Sequence, residues 1–186
     1  MAKSPSHLVW IDLETTGIDD RSCSILEIAT IITDKELELV EEGPALIVHQ
    51  PDDILKTMDP WCVEQHGGSG LTRACRESKI SLADAEEQTL SFVRKHCLRG
   101  QAPMCGNSVG FDRRFIMHHM PKLNGYLDFR NVDVSSIKEM VYRWYPGLVE
   151  KIVKKSTHRS LDDIRESIEE MRFYRRHVFR VKALEP

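Results

Sequence analysis

The chain has 186 residues, 41% of them hydrophobic and 30% charged, and its formal net charge is −3. This length predicts a single domain over residues 1–186, and no apolar run approaches the roughly 20 residues of a membrane-spanning helix. Residues 151–186 hold 10 Lys and Arg against 6 Asp and Glu. The rest of the chain is acidic, so a broad basic surface for long duplex nucleic acid is not predicted.

The cysteine content indicates a reducing environment. Five cysteines are an odd number and form no C-x-x-C pair. This pattern favours neither a disulfide framework nor a cysteine-based zinc site. The N-terminal segment has no long apolar stretch of a secretory signal and is not the Arg-rich, acid-poor kind of a transit peptide. We therefore expect a cytoplasmic protein that does not bind membranes.

The predicted elements begin with three strands at residues 7–13, 25–33 and 45–49. The first is apolar and rich in β-formers, and the second (ILEIATIIT) is apolar almost throughout. The third follows the pair Gly43-Pro44. Because short links join them, the three strands are predicted to form an antiparallel meander.

Helices predominate in the remainder of the chain. Ser81 and Asp84 match a capping box, which opens an amphipathic helix ending near residue 98. The following predicted elements are a strand at 102–105, a helix at 111–119, a strand at 131–134, a helix at 134–145 and a last helix from near residue 160. This order predicts an α/β fold with a mixed five-stranded sheet flanked by helices.

The strongest local signal is a pair of carboxylates at the end of the first predicted strand. Because side chains alternate between strand faces, Asp12 and Glu14 point the same way, roughly 7 Å apart, while Ile11 and Leu13 face the core. Two such carboxylates repel each other unless a cation lies between them, and hard oxygen ligands favour Mg²⁺ or Mn²⁺. The alternative is a polar strand end that faces water.

Two further motifs carry acidic residues at predicted helix starts. Asp112 lies in a first helical turn, where its alternative role is to interact favourably with the helix dipole. The motif H-R-S-L-D-D contains His158 and two adjacent aspartates, and helical geometry does not separate Asp162 from Asp163. Its alternative is a capping box with Ser160 as N-cap and Asp163 as its partner.

Taken together, the three motifs resemble those of the DEDDh family of 3′→5′ exonucleases. Asp12 and Glu14 match the D-x-E motif of that family, and Asp112 matches its second motif. His158 and Asp163 match its third motif, H-x4-D. The resemblance implies a ribonuclease H-like fold.

The segments around the motifs resemble one branch more closely, the oligoribonuclease family. These segments are residues 8–17, 104–109, 129–135 and 158–164. The likeness extends over about residues 8–175 and implies a single exonuclease domain.

The resemblance implies hydrolysis of very short RNA, dinucleotides above all, to 5′-nucleoside monophosphates released from the 3′ end. It implies two divalent cations, Mg or Mn, with Asp12 bridging both. Their ligands would be the carboxylates of Asp12, Glu14, Asp112 and Asp163. His158 would be the general base, because an imidazole with a reference pKa of about 6.5 accepts a proton at neutral pH.

Substrate contacts are implied by the same resemblance. Ile18, where the family commonly has Leu, and Trp61 match an apolar pair that packs against the bases. Stacking on an aromatic ring is worth about 1–3 kcal/mol per base. Ser108, Arg130 and Ser135 match a group that caps the 5′ phosphate and blocks longer chains.

Two more positions match the family pattern. His66 matches a substrate-contacting residue, and Pro60 next to Trp61 predicts a helix start near the surface. The family is homodimeric and commonly contributes a Tyr from the partner subunit where this chain has Phe129. Phe keeps the ring but lacks the phenolic hydroxyl. We therefore expect a homodimer that binds short single-stranded RNA, in which Phe129 supplies packing only.

Two other functions remain open from the sequence. One is a proofreading or tRNA-trimming 3′→5′ exonuclease of the same fold, and the other is a non-catalytic RNA-binding module. An aspartate-nucleophile phosphatase is disfavoured, because its first motif needs a second Asp at the position of Glu14.

Overall fold

The computed structural model describes residues 3–149 and 159–179. The strands are β1 (Leu8–Thr15), β2 (Ile25–Thr33), β3 (Leu39–Ile47), β4 (Met104–Gly106) and β5 (Asn131–Asp133). They form one sheet in the order β3-β2-β1-β4-β5. β2 is antiparallel to β1 and β3, whereas β4 is parallel to β1 and β5. The predicted α/β fold with a mixed five-stranded sheet is confirmed.

Helices cover both faces of this sheet. In the described ranges they are α1 (Asp52–Leu55), α2 (Pro60–Gly68), α3 (Leu71–Glu77), α4 (Leu82–His96), α5 (Val109–His119), α6 (Pro121–Asn124), α7 (Val134–Trp144), α8 (Pro146–Val149) and α9 (Ser160–His177). Of these helices, none combines the length and the apolar character that crossing a bilayer requires.

The central strand β1 divides the core into two layers. On one face, Ile11 belongs to the same buried cluster as Phe115 of α5. On the other face, Trp10 belongs to the same buried cluster as Tyr174 of α9. Because alternate residues share a face, Asp12 continues the face of Trp10. The layer that contains α9 is therefore the one toward which the acidic end of β1 is directed.

β2 is buried along all nine of its residues. Such a strand is apolar nearly throughout because it has hydrogen-bonded neighbours on both sides and packed layers on both faces. Its one charged residue, Glu27, is only 1% exposed. A buried carboxylate of this kind requires a partner, and Arg159 provides it, as described below.

β3 extends further than predicted. It begins at Leu39, before the predicted start at residue 45. Gly43 lies under the ring of Phe92, where a Cβ atom would come within 2.4 Å of a ring carbon. Pro44 is tolerated because β3 is an edge strand. The backbone of this segment is therefore extended although its Gly-Pro pair is typical of a turn.

The short helices were the least predictable elements. α2 begins at Pro60, as predicted, but α1 and α3 have only four and seven residues and were not predicted. Isolated helices of this length are unstable in water and depend on tertiary packing. Leu55 and Leu71 supply that packing in a separate small cluster beside β2.

The predicted capping box at the start of α4 is confirmed. The Asp84 backbone N–H donates to Ser81 Oγ at 3.1 Å. In return, the Ser81 backbone N–H and hydroxyl donate to Asp84 Oδ2 at 3.2 and 2.6 Å. Two backbone donors of the first turn are thereby satisfied.

We expect Ser81→Ala to lower the free energy of unfolding by about 1 kcal/mol, because it removes the acceptor for the Asp84 N–H. Equilibrium urea denaturation measures this change. Ser91→Ala, at an exposed position within the same helix, is the matched control. It should leave the free energy unchanged or slightly higher, since Ala is the better helix former. Equal losses in both variants would contradict the capping role.

Candidate active site

Asp12 and Glu14 lie near the C-terminal end of β1, on the face that is directed toward α9. Across the ladder they lie opposite Ala29 and Glu27 of β2. The pairing register shifts immediately after Glu14, and irregularities of this kind bend a strand and end regular pairing. The two carboxylates therefore lie where the regular strand pairing ends and the loop after β1 begins.

Asp163 joins this pair from the first turn of α9. One carboxylate oxygen each from Asp12, Glu14 and Asp163 lie within 4.8 Å of one another. Asp162 points elsewhere and forms a surface ion pair with Arg165 at 2.9 Å. The tertiary structure thus distinguishes the two adjacent aspartates, which the sequence alone could not do.

The alternative capping box at Ser160 is not formed. Helix α9 has Arg159 as its N-cap, without a side-chain cap hydrogen bond, and Ser160 is its first helical residue. Asp163 therefore forms no capping box with Ser160 as N-cap, and its carboxylate belongs with those of Asp12 and Glu14.

Asp112 approaches the same strand from α5. It is 4% exposed, and its Oδ1 accepts a hydrogen bond from the Leu13 backbone N–H at 3.0 Å. This bond anchors the first turn of α5 to β1 between Asp12 and Glu14. We use the name acidic cluster for Asp12, Glu14, Asp112 and Asp163.

Burial raises the pKa values of three members of the acidic cluster, Asp12, Glu14 and Asp112. Burial is the largest cause for Asp12, whose pKa lies well above its ordinary value, and repulsion from Asp112, Glu14 and Asp163 adds to it. Burial, followed by repulsion from Asp163 and Glu27, raises the pKa of Glu14 to about 8. Burial also raises the pKa of Asp112.

This donor set fits a divalent cation. All the ligand atoms are carboxylate oxygens, which Mg²⁺ and Mn²⁺ prefer, and their mutual repulsion is the kind that a bound cation relieves. Arg159 lowers the pKa of Glu14 only as a minor effect, because its guanidinium is paired with Glu27.

The predicted general base, His158, lies outside the described residues. Its neighbour Arg159 is described, and its Nε and Nη2 donate to the two carboxylate oxygens of Glu27 at 3.2 and 2.8 Å. The Ser160 backbone N–H also donates to Glu27, at 3.3 Å. The start of α9 is therefore held against β2 by an ion pair between the buried Glu27 carboxylate and the partly exposed Arg159 guanidinium.

Sequence reasoning missed this ion pair. A signal was present, because Glu27 is the only charge in an otherwise apolar strand and had to find a partner. The identity of that partner was not encoded locally, since Arg159 lies 132 residues further along the chain.

Both side chains of the predicted base-contacting pair are exposed. Ile18, in the loop after β1, is 79% exposed, and Trp61, in the first turn of α2, is 55% exposed. A Cβ at Gly17 would lie 3.5 Å from the side chain of Asp59, the N-cap of α2. The loop that carries Ile18 is thus packed against the start of the helix that carries Trp61.

His66 is buried between α2 and β1. Its ring is 1% exposed, and its Nε2 lies 2.9 Å from the backbone oxygen of Thr15. Its Nδ1 lies 3.9 Å from Glu14 Oε2. His66 therefore contacts the acidic strand itself, and any substrate contact would be made from this buried position.

Ser108 and Ser135 are brought together at the ends of β4 and β5. The Ser108 backbone N–H donates to Ser135 Oγ at 2.9 Å and to Asp133 Oδ1 at 3.0 Å. Ser108 has a left-handed backbone conformation with φ of 51°, which is uncommon outside glycine and occurs frequently at functional sites. We call Ser108 and Ser135 the serine pair.

Arg130 and Phe129 lie next to each other just before β5. The Arg130 guanidinium forms a two-pronged ion pair with the buried Asp128, at 3.1 and 2.7 Å. It also lies over the Phe129 ring, 5.4 Å from its centre. Phe129 is 84% exposed, and the Arg130 side chain is 71% exposed. Both could therefore meet a ligand or a second subunit.

Comparison with known proteins agrees with this arrangement. The RNase T family model, described as an exonuclease family, matches residues 9–171 of the chain. The sheet, its covering helices and the acidic cluster at the end of the central strand thus define a nuclease of the exonuclease class with a ribonuclease H-like fold.

Full-length relatives specify the family further. The oligoribonuclease of Marinobacter nauticus is 52% identical over 175 residues, covering 94% of this chain and 97% of its own. That of Colwellia psychrerythraea is 49% identical over 181 residues, covering 97% and 100%. That of Pseudomonas syringae pv. tomato is 53% identical over 178 residues, covering 96% and 99%. The chain belongs to the oligoribonuclease family.

Solved structures share the fold at low sequence identity. Exonuclease I superposes with a TM-score of 0.73 at 16% identity, over 92% of this chain and 41% of that one. A zinc-bound complex of E. coli exonuclease I with single-stranded DNA gives 0.74 at 16% identity, over 93% and 41%. The chain spans about two-fifths of these larger proteins, and the likeness is one of fold.

We expect the metal-free protein to lose stability as the pH rises from 4.5 to about 8. Over this range the folded protein keeps the Glu14 proton, because its pKa is about 8 rather than 4.5, while the unfolded chain has lost it. The folded state then binds more protons, so a higher pH favours unfolding. A divalent cation binds the deprotonated carboxylates. The melting temperatures measured in EDTA and in saturating Mn²⁺ should therefore diverge as the pH rises, with a difference of roughly 5–10 °C at pH 8.

Two neighbouring aspartates provide the control for this experiment. Asp163→Asn removes a repelling carboxylate, so it should raise the metal-free melting temperature at the upper pH and lose most of the Mn²⁺ effect. Asp162→Asn alters the surface pair with Arg165 and should keep the wild-type Mn²⁺ effect. If Asp163→Asn kept the full rise in melting temperature with Mn²⁺, the ion would bind at a site other than the acidic cluster.

Proposed function

We propose that this chain is a metal-dependent 3′→5′ exoribonuclease that hydrolyses dinucleotides and small RNA oligonucleotides to 5′-nucleoside monophosphates. The observation that carries the proposal is the convergence of Asp12, Glu14 and Asp163 within 4.8 Å at the end of the central strand. Membership of the oligoribonuclease family supports the choice of short RNA as the substrate.

Two divalent cations, Mg or Mn, are proposed as cofactors. The residues that would hold them are Asp12, Glu14, Asp112 and Asp163, whose four carboxylates balance the charge of two such ions. When bound, the ions would supply charge stabilisation at the scissile phosphate and at the leaving 3′ oxygen, and would make water a better nucleophile.

His158 is proposed as the general base. Its imidazole would accept a proton from the attacking water as the bond between phosphorus and the 3′ oxygen breaks, leaving the phosphate on the released nucleotide. The ion pair of Arg159 with the buried Glu27 supports this role, because it anchors the residue next to His158 at the start of the helix that carries Asp163.

Substrate binding is proposed to involve two separate surfaces. Ile18 and Trp61, both well exposed, would pack against the bases. The serine pair, together with Arg130, would hold the 5′ phosphate, for which a guanidinium is suited by its planar set of donors.

His66 would act from its buried position next to Glu14, orienting the strand end that meets the substrate. This role is supported by the contacts of its ring with Thr15 and Glu14.

A cytoplasmic homodimer is proposed as the working form, with residues 1–186 as a single domain. The exposure of Phe129 supports a second subunit, since an 84% exposed ring over an Arg side chain is available for packing against a partner or its substrate. Phe129 would contribute its ring but no phenolic hydrogen bond.

We expect 5′-labelled dinucleotides to be cleaved in preference to longer RNA, with Mn²⁺ present, because a capped 5′ phosphate leaves no room for additional nucleotides. Product analysis over a ladder from two to about ten nucleotides, read as kcat/KM for each length, measures the preference. Equal cleavage of a long single strand would favour a proofreading or trimming exonuclease. RNA binding without Mn²⁺-dependent hydrolysis would indicate a non-catalytic module.

We expect His158→Ala to reduce kcat by about 10²–10⁴-fold while the Mn²⁺-induced rise in melting temperature is retained. The reason is that the variant loses the proton acceptor but keeps the acidic cluster. Single-turnover cleavage of a labelled dinucleotide, combined with melting curves, measures both effects. His177→Ala, an exposed histidine at the far end of α9, is the matched control. Near-normal turnover of His158→Ala would remove it from the mechanism.

A further inference from the structure

A chain of hydrogen bonds connects the serine pair to the acidic cluster, and Asn107 is its central member. The Ser135 hydroxyl donates to Asn107 Oδ1 at 3.1 Å. On its other side, Asn107 Nδ2 donates to Ser167 Oγ of α9 at 2.7 Å. The Ser167 hydroxyl in turn donates to the backbone oxygen of Asp163 at 2.8 Å. Asn107 therefore bridges the ends of β4 and β5 to the residue that completes the acidic cluster.

The surroundings determine which way the Asn107 amide faces. Its Nδ2 also lies 3.3 Å from Glu170 Oε2, and a carboxylate accepts hydrogen bonds. The Ser167 hydroxyl donates its proton to the Asp163 backbone oxygen, so Ser167 Oγ is the acceptor in its hydrogen bond with Asn107. Both neighbours of the NH₂ group are acceptors, so the amide oxygen must face Ser135.

Glu170 makes this arrangement rigid. The side chain is 2% exposed and accepts a hydrogen bond from the Tyr174 hydroxyl at 2.8 Å. Lys138 of α7 lies 3.5 Å from the same carboxylate. A buried, multiply bonded carboxylate resists displacement, because any rearrangement would leave a charge unpaired in the interior. Asn107 is thus hydrogen-bonded to a carboxylate that Tyr174 and Lys138 hold in place.

We infer that Asn107 is a positioning residue that determines the substrate length the site accepts. By tying Ser135 to the backbone of Asp163, it sets the spacing between the group proposed to cap the 5′ phosphate and the carboxylates proposed to surround the scissile bond. That spacing decides how many nucleotides fit between a held 5′ phosphate and the cleaved linkage. The inference rests on the function proposed above and extends it to a residue outside both sites.

The experiment compares a 5′-phosphorylated dinucleotide with a five-nucleotide RNA as substrates of Asn107→Ala and Ser167→Ala. Three hydrogen bonds connect the serine pair to α9 through Asn107, one from Ser135 and one each to Ser167 and Glu170. Asn107→Ala loses all three and should reduce kcat/KM for the dinucleotide about 10-fold, mainly through KM. Ser167→Ala should shift it in the same direction by a smaller factor, and kcat/KM for the longer RNA should change less than about 3-fold in both variants. The kcat/KM for a dinucleotide that lacks the 5′ phosphate should also change little in these variants.

Asn124→Ala is the matched control. Asn124 is a half-buried asparagine at the end of α6, and its Oδ1 accepts a hydrogen bond from Arg113 Nε at 2.8 Å. We expect it to lose stability without a change in length preference. Ser167→Ala provides an independent second variant that keeps Asn107 in place. It removes the link from Asn107 to the Asp163 carbonyl and leaves the contact with Glu170 as the remaining connection to α9. Both variants should keep the Mn²⁺-induced rise in melting temperature, since the acidic cluster is untouched.

The outcomes separate this inference from the proposed function. If the wild-type protein prefers the dinucleotide and both variants keep that preference, the positioning role of Asn107 is overturned while the proposed function stands. The same holds if all substrates lose activity equally, since that indicates a structural role only. If the wild-type protein shows no preference for the dinucleotide, the proposed function fails and the inference fails with it.

Discussion

The structure depends on one electrostatic constraint, the concentration of negative charge at the buried end of its central strand. Burial away from water and repulsion between neighbours both oppose ionisation of Asp12 and Glu14. Isolated carboxylates would be expelled toward solvent, but the flanking apolar residues Ile11 and Leu13 are buried in the core and prevent this. The strand therefore holds the charges in place, and a divalent cation is the partner that suits them.

A second pair of charges positions the element that completes the cluster. Glu27 is buried in β2 and bound by Arg159, whose backbone precedes the first turn of α9. Such an ion pair contributes little net stability, yet removing the Arg159 guanidinium would be costly, because the buried Glu27 carboxylate would be left without its partner. Its consequence here is geometric, because it holds the start of α9 against the sheet and so brings Asp163 to Asp12 and Glu14.

The helix α9 is also connected to the residues proposed to bind the 5′ phosphate of the substrate. Through Ser167 and Glu170, α9 is hydrogen-bonded to Asn107, which in turn binds Ser135. The acidic cluster and the serine pair are therefore not independent surface features. They are attached to one helix through half-buried polar contacts, in which the amide oxygen and the amide nitrogen of Asn107 both have hydrogen-bond partners.

Local patterns in the sequence determined the alternation of β1, the capping box at Ser81, the strand at 25–33 and the family. These features depend on neighbours within a few residues, so periodicity and short motifs encode them. Only the tertiary structure decided between Asp162 and Asp163, identified Arg159 as the partner of Glu27 and joined Asn107 to α9. Those contacts link segments that are distant along the chain, and their geometry follows from how the helices pack on the sheet rather than from any local pattern.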